Sequence, residues 1–382
     1  MSAGGAAPIL HGRVSRAVLL PLLLATSLLV GFGPPSLVND SYDAPLYPSH
    51  LRQINRFWPT GFQGSAAAIM DAASGRIVWE ENGDRRVAPA SITKIMSAIV
   101  ALERGSLDQR ITIQPQHLRV AWGSSLMGLL PGDRLSLEDL LWGLILPSGN
   151  DAALAIADLV AGSEERFVEM MNDRAAELGM RDTHFANPHG LDEDRHFSTA
   201  NDILRMTRHA MTFPLFARIV ATPSTTRQAS RPFLLGNSNL LVARGGFAGA
   251  DGVKSGNTDL AGDSLVASAT REGHRIIVVV LGTNDRTYNA TRLLEFAFRQ
   301  FERRQTKPAF ATRLLDDEGQ ERLLEASGSQ EVLLGQWERF FLRPVTSIER
   351  HHNPYWPGLQ VGRLSLLVRG QEARDLPLLV AP

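Results

Sequence analysis

Apolar residues recur along the chain with two different periods, and the change from one to the other predicts the architecture. Ala66-Ala67-Ala68-Ile69-Met70, then Asp71-Ala72-Ala73-Ser74-Gly75, then Arg76-Ile77-Val78-Trp79-Glu80 reads as strand, turn and strand. Pro89 to Arg104 reads as a helix, with a proline at its start and Gly105 at its end. Leu135 to Leu146 predicts another, with Ser136 as N-cap and the acids Glu138 and Asp139 in the first turn, where the positive helix end favours them. That segment ends at Pro147-Ser148-Gly149-Asn150, and Asp151 to Val160, Glu164 to Leu178 and Thr199 to Met211 continue the helical period. Arg275 to Gly282 is short, β-branched and bounded by charge and glycine, the pattern of a buried strand, and Thr291 to Arg303 predicts an apolar-striped helix after it. Strands early, helices in the middle and strands late imply an α/β (α+β) fold: one sheet assembled from both ends of the chain against a helical block. Beyond about Lys307 the pattern changes. Leu359 to Val368, a turn at Arg369-Gly370-Gln371, and Leu376 to Val380 predict a β-hairpin in a small β-rich module.

The N-terminus adds a targeting signal. His11, Arg13 and Arg16 precede an uncharged apolar run from Ala17 to Phe32, a positive flank followed by an apolar block, as in a secretory signal. No small-x-small cleavage site follows, because Phe32 interrupts the glycines and Pro34-Pro35 come next, so an uncleaved anchor competes with a cleaved signal and is favoured. The expected organisation is a signal or anchor over 1–33, a linker over 34–57, a main domain over 58–305 and a β-rich domain over 306–382. The rest of the chain, without a comparable run, should be a soluble exported domain. Of 382 residues, 44% are hydrophobic and 21% charged, ordinary for a chain that buries a core. A net charge of −1 offers no dense basic face for nucleic acid. The absence of cysteine excludes a disulfide framework, a thiol nucleophile and thiolate metal sites.

Candidate chemistry starts at Ser91-Ile92-Thr93-Lys94. A serine hydroxyl is a poor nucleophile without an adjacent base, and Lys94 lies one helical turn away on the same face. Lysine can be that base only if burial, neighbouring cations or a positive helix end lower its pKa. Taken alone, this tetrapeptide is better read as a capping serine beside a solvated lysine, since Ser-x-x-Lys occurs by chance in many helices. Ser148-Gly149-Asn150 and Lys254-Ser255-Gly256 change the balance, following in order at spacings of roughly 55 and 105 residues. The trio, in S-x-x-K, S-D-N and K-T-G form, is shared by penicillin-binding proteins and class A β-lactamases.

With Asp71-Ala72-Ala73-Ser74-Gly75, Gly123-Ser124-Ser125-Leu126-Met127, Pro131-Gly132-Asp133, Phe185-Ala186-Asn187-Pro188-His189-Gly190-Leu191, Asp251-Gly252-Val253 and Ala261-Gly262, the chain resembles low-molecular-weight penicillin-binding proteins of the D-alanyl-D-alanine carboxypeptidase family over roughly residues 60 to 303. The resemblance implies an antiparallel sheet packed with helices, no cofactor or metal, peptidoglycan stem peptides as substrate and β-lactams as ligands. It implies that Ser91 attacks the carbonyl between two D-alanines, that Lys94 takes its proton, and that Ser148 and Asn150 relay the proton to the leaving amine and hold the substrate amide. Lys254 would be the second cation that keeps Lys94 neutral. Ser255 would bond the substrate carboxylate beside Gly256, and the N–H groups of Ser91 and Asn257 would form the oxyanion hole. Arg286 aligns with the arginine that grips the carboxylate, with Arg292 as competitor; its planar fork suits that group.

Two departures stand out. Ser255 replaces the usual threonine, keeping the hydroxyl, so altered selectivity with retained activity is expected. The family's C-terminal amphipathic membrane helix has no counterpart, so a membrane hold would fall to the N-terminal run. His184, His189 and His196 match no metal-ligand spacing, and the resemblance makes His189 and His196 structural. His351-His352 reads as a surface pair. Trp337, Tyr355 and Trp356 read as core of the tail rather than a binding patch. A DD-endopeptidase would use the same residues. A β-lactamase needs a deacylating base, and none of Glu164, Glu165, Glu169, Glu177 and Glu193 sits in a matching setting. The remaining class, a non-catalytic wall-binding protein, is disfavoured by the intact trio.

Overall fold

The computed structural model describes residues 61–305, 311–328, 331–335, 338, 342–349 and 354–382. The N-terminal apolar run, the linker, Trp337 and His351-His352 lie outside them. Among the described residues no helix is long and apolar enough to cross a membrane.

Strands β1 (Ala66–Asp71) and β2 (Ile77–Glu81) form the expected hairpin and are joined by β7 (Ala250–Gly256), β8 (Asp263–Arg271) and β9 (His274–Thr283) in one antiparallel sheet of order β2-β1-β9-β8-β7. β9, the continuous apolar run, is its central strand, and alternate residues serve two cores. Ile277, Val279 and Leu281 face the helical block with Ala66, Ala68 and Met70. Ile276, Val278 and Val280 face Ala290, Leu293 and Leu294 of a C-terminal helix. A strand covered on both faces has no polar side to alternate with, hence its unbroken hydrophobicity.

The helical block contains α1 (Lys94–Arg104), α2 (Leu137–Ile145), α3 (Asn150–Ala161), α4 (Glu164–Glu177), α5 (Ala200–Ala210), α6 (Pro214–Val220) and the short α7 (Leu240–Ala243). Ser136 caps α2 through a full capping box with Asp139, as its sequence predicts. At two helices the structure departs from expectation. The first turn of the Ser91 helix, Ala90–Thr93, is 3₁₀, while the helix ends at Gly105 as expected, with that residue extended at φ −98°. Glycine leaves space there, since a Cβ would sit 2.9 Å from Ala101 O as well as 2.3 Å from Leu137 Cδ2. The last helix, α8 (Arg286–Gln300), starts five residues before the expected Thr291 because the Asp285 side chain accepts from Tyr288 N–H and caps it. Two small antiparallel pairs, β3 (Arg110–Thr112) with β4 (Arg134–Ser136) and β5 (Ser224–Gln228) with β6 (Pro232–Gly236), border the block.

After α8, β10 (Phe301–Gln305) pairs with β13 (Glu331–Gly335), while β11 (Ala311–Leu315), β12 (Glu321–Ala326), β14 (Leu342–Ile348), β15 (Gln360–Val368) and β16 (Gln371–Val380) form a sheet of order β11-β12-β16-β15-β14. β15 and β16 are the expected hairpin, turning on Arg369 (φ 54°) and Gly370 (φ 79°), two left-handed residues that match the strand twist. Tyr355 is buried against Val361 and Leu378, but Trp356 is exposed, correcting the expectation that both are core. A buried ion pair ties this module to the main sheet: Arg76 donates to both Glu338 carboxylate oxygens (2.7 and 2.9 Å) and to Leu333 O. Glu338→Ala would leave a buried guanidinium without its counter-charge. The expected loss is about 3–5 kcal/mol, to be read from denaturant melts; a loss below about 1 kcal/mol would show that water reaches Arg76 freely.

Candidate active site

Ser91 lies in the 3₁₀ turn and Lys94 is the first residue of α1, so the bend between them brings both side chains to one side of the helix start. Ser91 Oγ and Lys94 Nζ are 2.9 Å apart. Lys94 is fully buried, and its Nζ also donates to His189 O at 2.6 Å. Burial and the nearby Lys254 charge hold its pKa well below the ordinary lysine value, against a weaker opposing pull from Asp151. The carbonyl that receives Lys94 is fixed next door, where Ser97 Oγ donates to Pro188 O at 2.6 Å.

A second wall comes from the α2–α3 junction. Ser148 is buried in a left-handed conformation (φ 66°), uncommon for a residue with a Cβ, and its Oγ has no hydrogen-bond partner among the described residues. Gly149 permits this crossing, because a Cβ there would lie 2.8 Å from Met127 N. Asn150, expected on a loop, opens α3; its N–H donates to Ser125 O at 2.8 Å. The third wall is β7, an edge strand. Lys254 is buried, its Nζ donating to Ser255 O at 2.9 Å, and Ser255 Oγ donates to Ser238 Oγ at 2.8 Å. Burial and the Arg286 charge push the Lys254 pKa down to about 7. Gly256 packs against the nucleophile turn so closely that a Cβ would be 3.2 Å from Ser91 N. This closeness sets the end of β7 against the turn that carries Ser91. Arg286, the first residue of α8, donates from Nη1 to Gly256 O at 3.2 Å. Its competitor Arg292 instead stacks over the Tyr288 ring, 5.5 Å from the centroid.

Serine, two depressed lysines and a carboxylate-matched arginine thus meet where the strand edge faces a helix start, a constellation suited to acyl transfer. The family model for D-alanyl-D-alanine carboxypeptidases (peptidase S11) matches residues 57–285. The chain belongs to this family. It is 35% identical over 335 residues to D-alanyl-D-alanine carboxypeptidase DacC of Escherichia coli strain K12, covering 82% of each protein. It is 29% identical to D-alanyl-D-alanine carboxypeptidase DacF of Bacillus subtilis strain 168, covering 83% of this chain and 84% of that one. Its fold is similar to penicillin-binding protein 5 of Haemophilus influenzae, with TM-score 0.71 at 27% identity, across 85% of this chain and 98% of that one.

Several residues that shape this D-alanyl-D-alanine carboxypeptidase site are invisible as motifs. Asp151 accepts from the N–H groups of Met127, Gly128 and Leu129, binding the Gly123–Met127 segment to the start of α3. An acid in the first turn of a helix signals only dipole stabilisation, so its loop partners could not be read. Asp192 accepts from Thr258 Oγ1 at 2.6 Å and ties the His189 loop to the segment after β7. His196 Nδ1 accepts from Ala186 N–H, which leaves Nε2–H to donate to Thr93 Oγ1 at 2.8 Å. Burial drives His196 to about 4 and His189 to about 3, so both rings are neutral. Among the described residues no group of three or more His, Cys, Asp or Glu could hold a metal ion. Of the glutamates weighed as a deacylating base, Glu164 lies 3.8 Å from the His189 ring and Glu193 accepts from Asn187 Nδ2.

Proposed function

We propose that this chain is a serine-type D-alanyl-D-alanine carboxypeptidase that removes the terminal D-alanine of peptidoglycan stem peptides. The observation that carries the reading is the 2.9 Å approach of Ser91 Oγ to a lysine amine that is buried beside a second amine. Ser91 Oγ attacks the carbonyl carbon between the two D-alanines while its proton passes to neutral Lys94 Nζ. The oxyanion forms against the N–H groups of Ser91 and Asn257. The proton then moves through Ser148 to the leaving amine, D-alanine departs, and an ester joins the peptide to Ser91. Water attacks that ester, returns the hydroxyl to Ser91 and releases the shortened peptide. Asn150 holds the substrate amide, while Lys254, Ser255 and Arg286 receive the terminal carboxylate beside Gly256. A β-lactam carries a strained amide and a carboxylate in the same relation and acylates Ser91 in place of the peptide. The enzyme works outside the cytoplasmic membrane, exported by its N-terminal apolar segment and held there if that segment stays uncleaved.

The test is release of free D-alanine from diacetyl-lysyl-D-alanyl-D-alanine, together with the lifetime of a fluorescent penicillin adduct. Turnover of the tripeptide and a slowly hydrolysed adduct are expected. No D-alanine release would remove the enzyme reading, and rapid penicillin hydrolysis would turn it towards a β-lactamase.

A further inference from the structure

Arg286, which opens α8 and donates to Gly256 O at the end of β7, already holds a carboxylate. Asp263, the first residue of β8, lies beside the β7 terminus, where Gly256 pairs with Ser264. Its Oδ1 accepts from Arg286 Nη1 at 3.2 Å and from Asn257 Nδ2 at 2.8 Å. One oxygen therefore serves both the guanidinium and Asn257, the residue that follows Gly256. The two side chains are 24% and 36% exposed, so a ligand can reach the pair. Arg286 retains further N–H donors, and its charge is felt at Lys254.

We infer that Asp263 is a specificity-determining residue, an internal competitor for Arg286 that weakens the grip on a peptide's free terminal carboxylate and so lets C-terminally blocked peptides compete. The inference rests on the carboxypeptidase reading, in which Arg286 meets that carboxylate. A second anion arriving at Arg286 must share the guanidinium with Asp263 or displace it, and in either case two carboxylates come within a few ångströms of each other. Like charges brought together disfavour exactly one class of ligand, the charged one. A neutral C-terminus, whether an amide or a peptide continuing into a cross-link, does not meet this repulsion. The acid therefore tilts the site towards ends that a bare arginine would reject, and it does so without touching the nucleophile or its base. It also gives Asn257 a fixed partner, so the position is constrained geometrically as well as electrostatically.

The experiment compares diacetyl-lysyl-D-alanyl-D-alanine with its C-terminal amide; the same peptide bond breaks in both, releasing D-alanine or D-alaninamide. Asp263→Asn keeps an oxygen for Asn257 and Arg286 and removes only the charge. The acid-to-amide ratio of kcat/KM should rise about 3- to 10-fold, through a lower KM for the acid. Asp263→Ser, neutral and smaller, should move the ratio the same way, which covers a folding defect in either variant. In an Arg286→Ala background the Asp263→Asn effect on the ratio should vanish, since the two residues act through one contact. An unchanged ratio in both Asp263 variants, or equal loss on both peptides, overturns the inference and leaves the carboxypeptidase reading intact. If the wild-type protein releases neither product, both fall together.

Discussion

Replacing Ser91 by alanine is expected to lower D-alanine release at least about a thousandfold and to abolish covalent labelling by penicillin. The magnitude follows from what the hydroxyl does. With Oγ gone, water must attack the amide directly, and the remaining groups can supply only binding and oxyanion stabilisation. The fold should tolerate the change. Ser91 lies in a single 3₁₀ turn, its Oγ contact is with Lys94, and Lys94 Nζ keeps its bond to His189 O. A melting temperature close to that of the parent, combined with a missing adduct by mass spectrometry, would separate loss of the nucleophile from loss of structure. Labelling that survives would point to another hydroxyl; Ser148, buried and without a partner among the described residues, is the first to test.

The strong periodicities carried most of the architecture. β9 was legible because a strand covered on both faces has no polar alternate positions, and α2 because Ser136 and Asp139 spell out their reciprocal cap. What stayed hidden was set by tertiary context. β5 and β6 are marginal strands of a small hairpin, with Leu234 exposed, and their polar residues read as turn. α8 begins inside a polar stretch, where Asp285 stabilises the first turn through one side-chain bond that periodicity cannot register. The site shows the same division. Ser91, Lys94, Ser148, Asn150, Lys254 and Ser255 stand out because three short motifs, each weak alone, follow in the order shared with penicillin-binding proteins. Asp151, Asp192 and Asp263 act across 22 or more, 66 and 23 positions respectively, and nothing local marks an acid that waits for a distant donor. Arg286 illustrates the boundary: the resemblance marks it as a candidate beside Arg292, but only the structure reveals that Asp263 already accepts from its Nη1.

Lys94→Arg is the second change with a large expected effect: a fall of about a hundred- to ten-thousandfold in kcat/KM, the range for a positioned base. A guanidinium does not release its proton in the accessible pH range, so it cannot accept the Ser91 proton, and it places a permanent charge where the parent carries a free amine. In the parent, burial and the nearby Lys254 charge both disfavour the protonated form of Lys94 and hold its pKa well below the ordinary lysine value. Lowering the pH protonates Lys94 and removes the base; activity should decline on the acid side. Raising the pH through about 7 discharges Lys254 in the free enzyme, which weakens attraction for the substrate carboxylate. The kcat/KM profile should therefore be bell-shaped, with an alkaline limb near 7 that moves upward in kcat, because a bound carboxylate favours the charged form of Lys254. Acylation by penicillin, followed as a rate of adduct formation, should show the same acid limb, since the proton leaves Ser91 in that step too. A Lys94→Arg protein retaining a tenth or more of parental activity, or a parent profile with no acid limb, would assign the proton to another group.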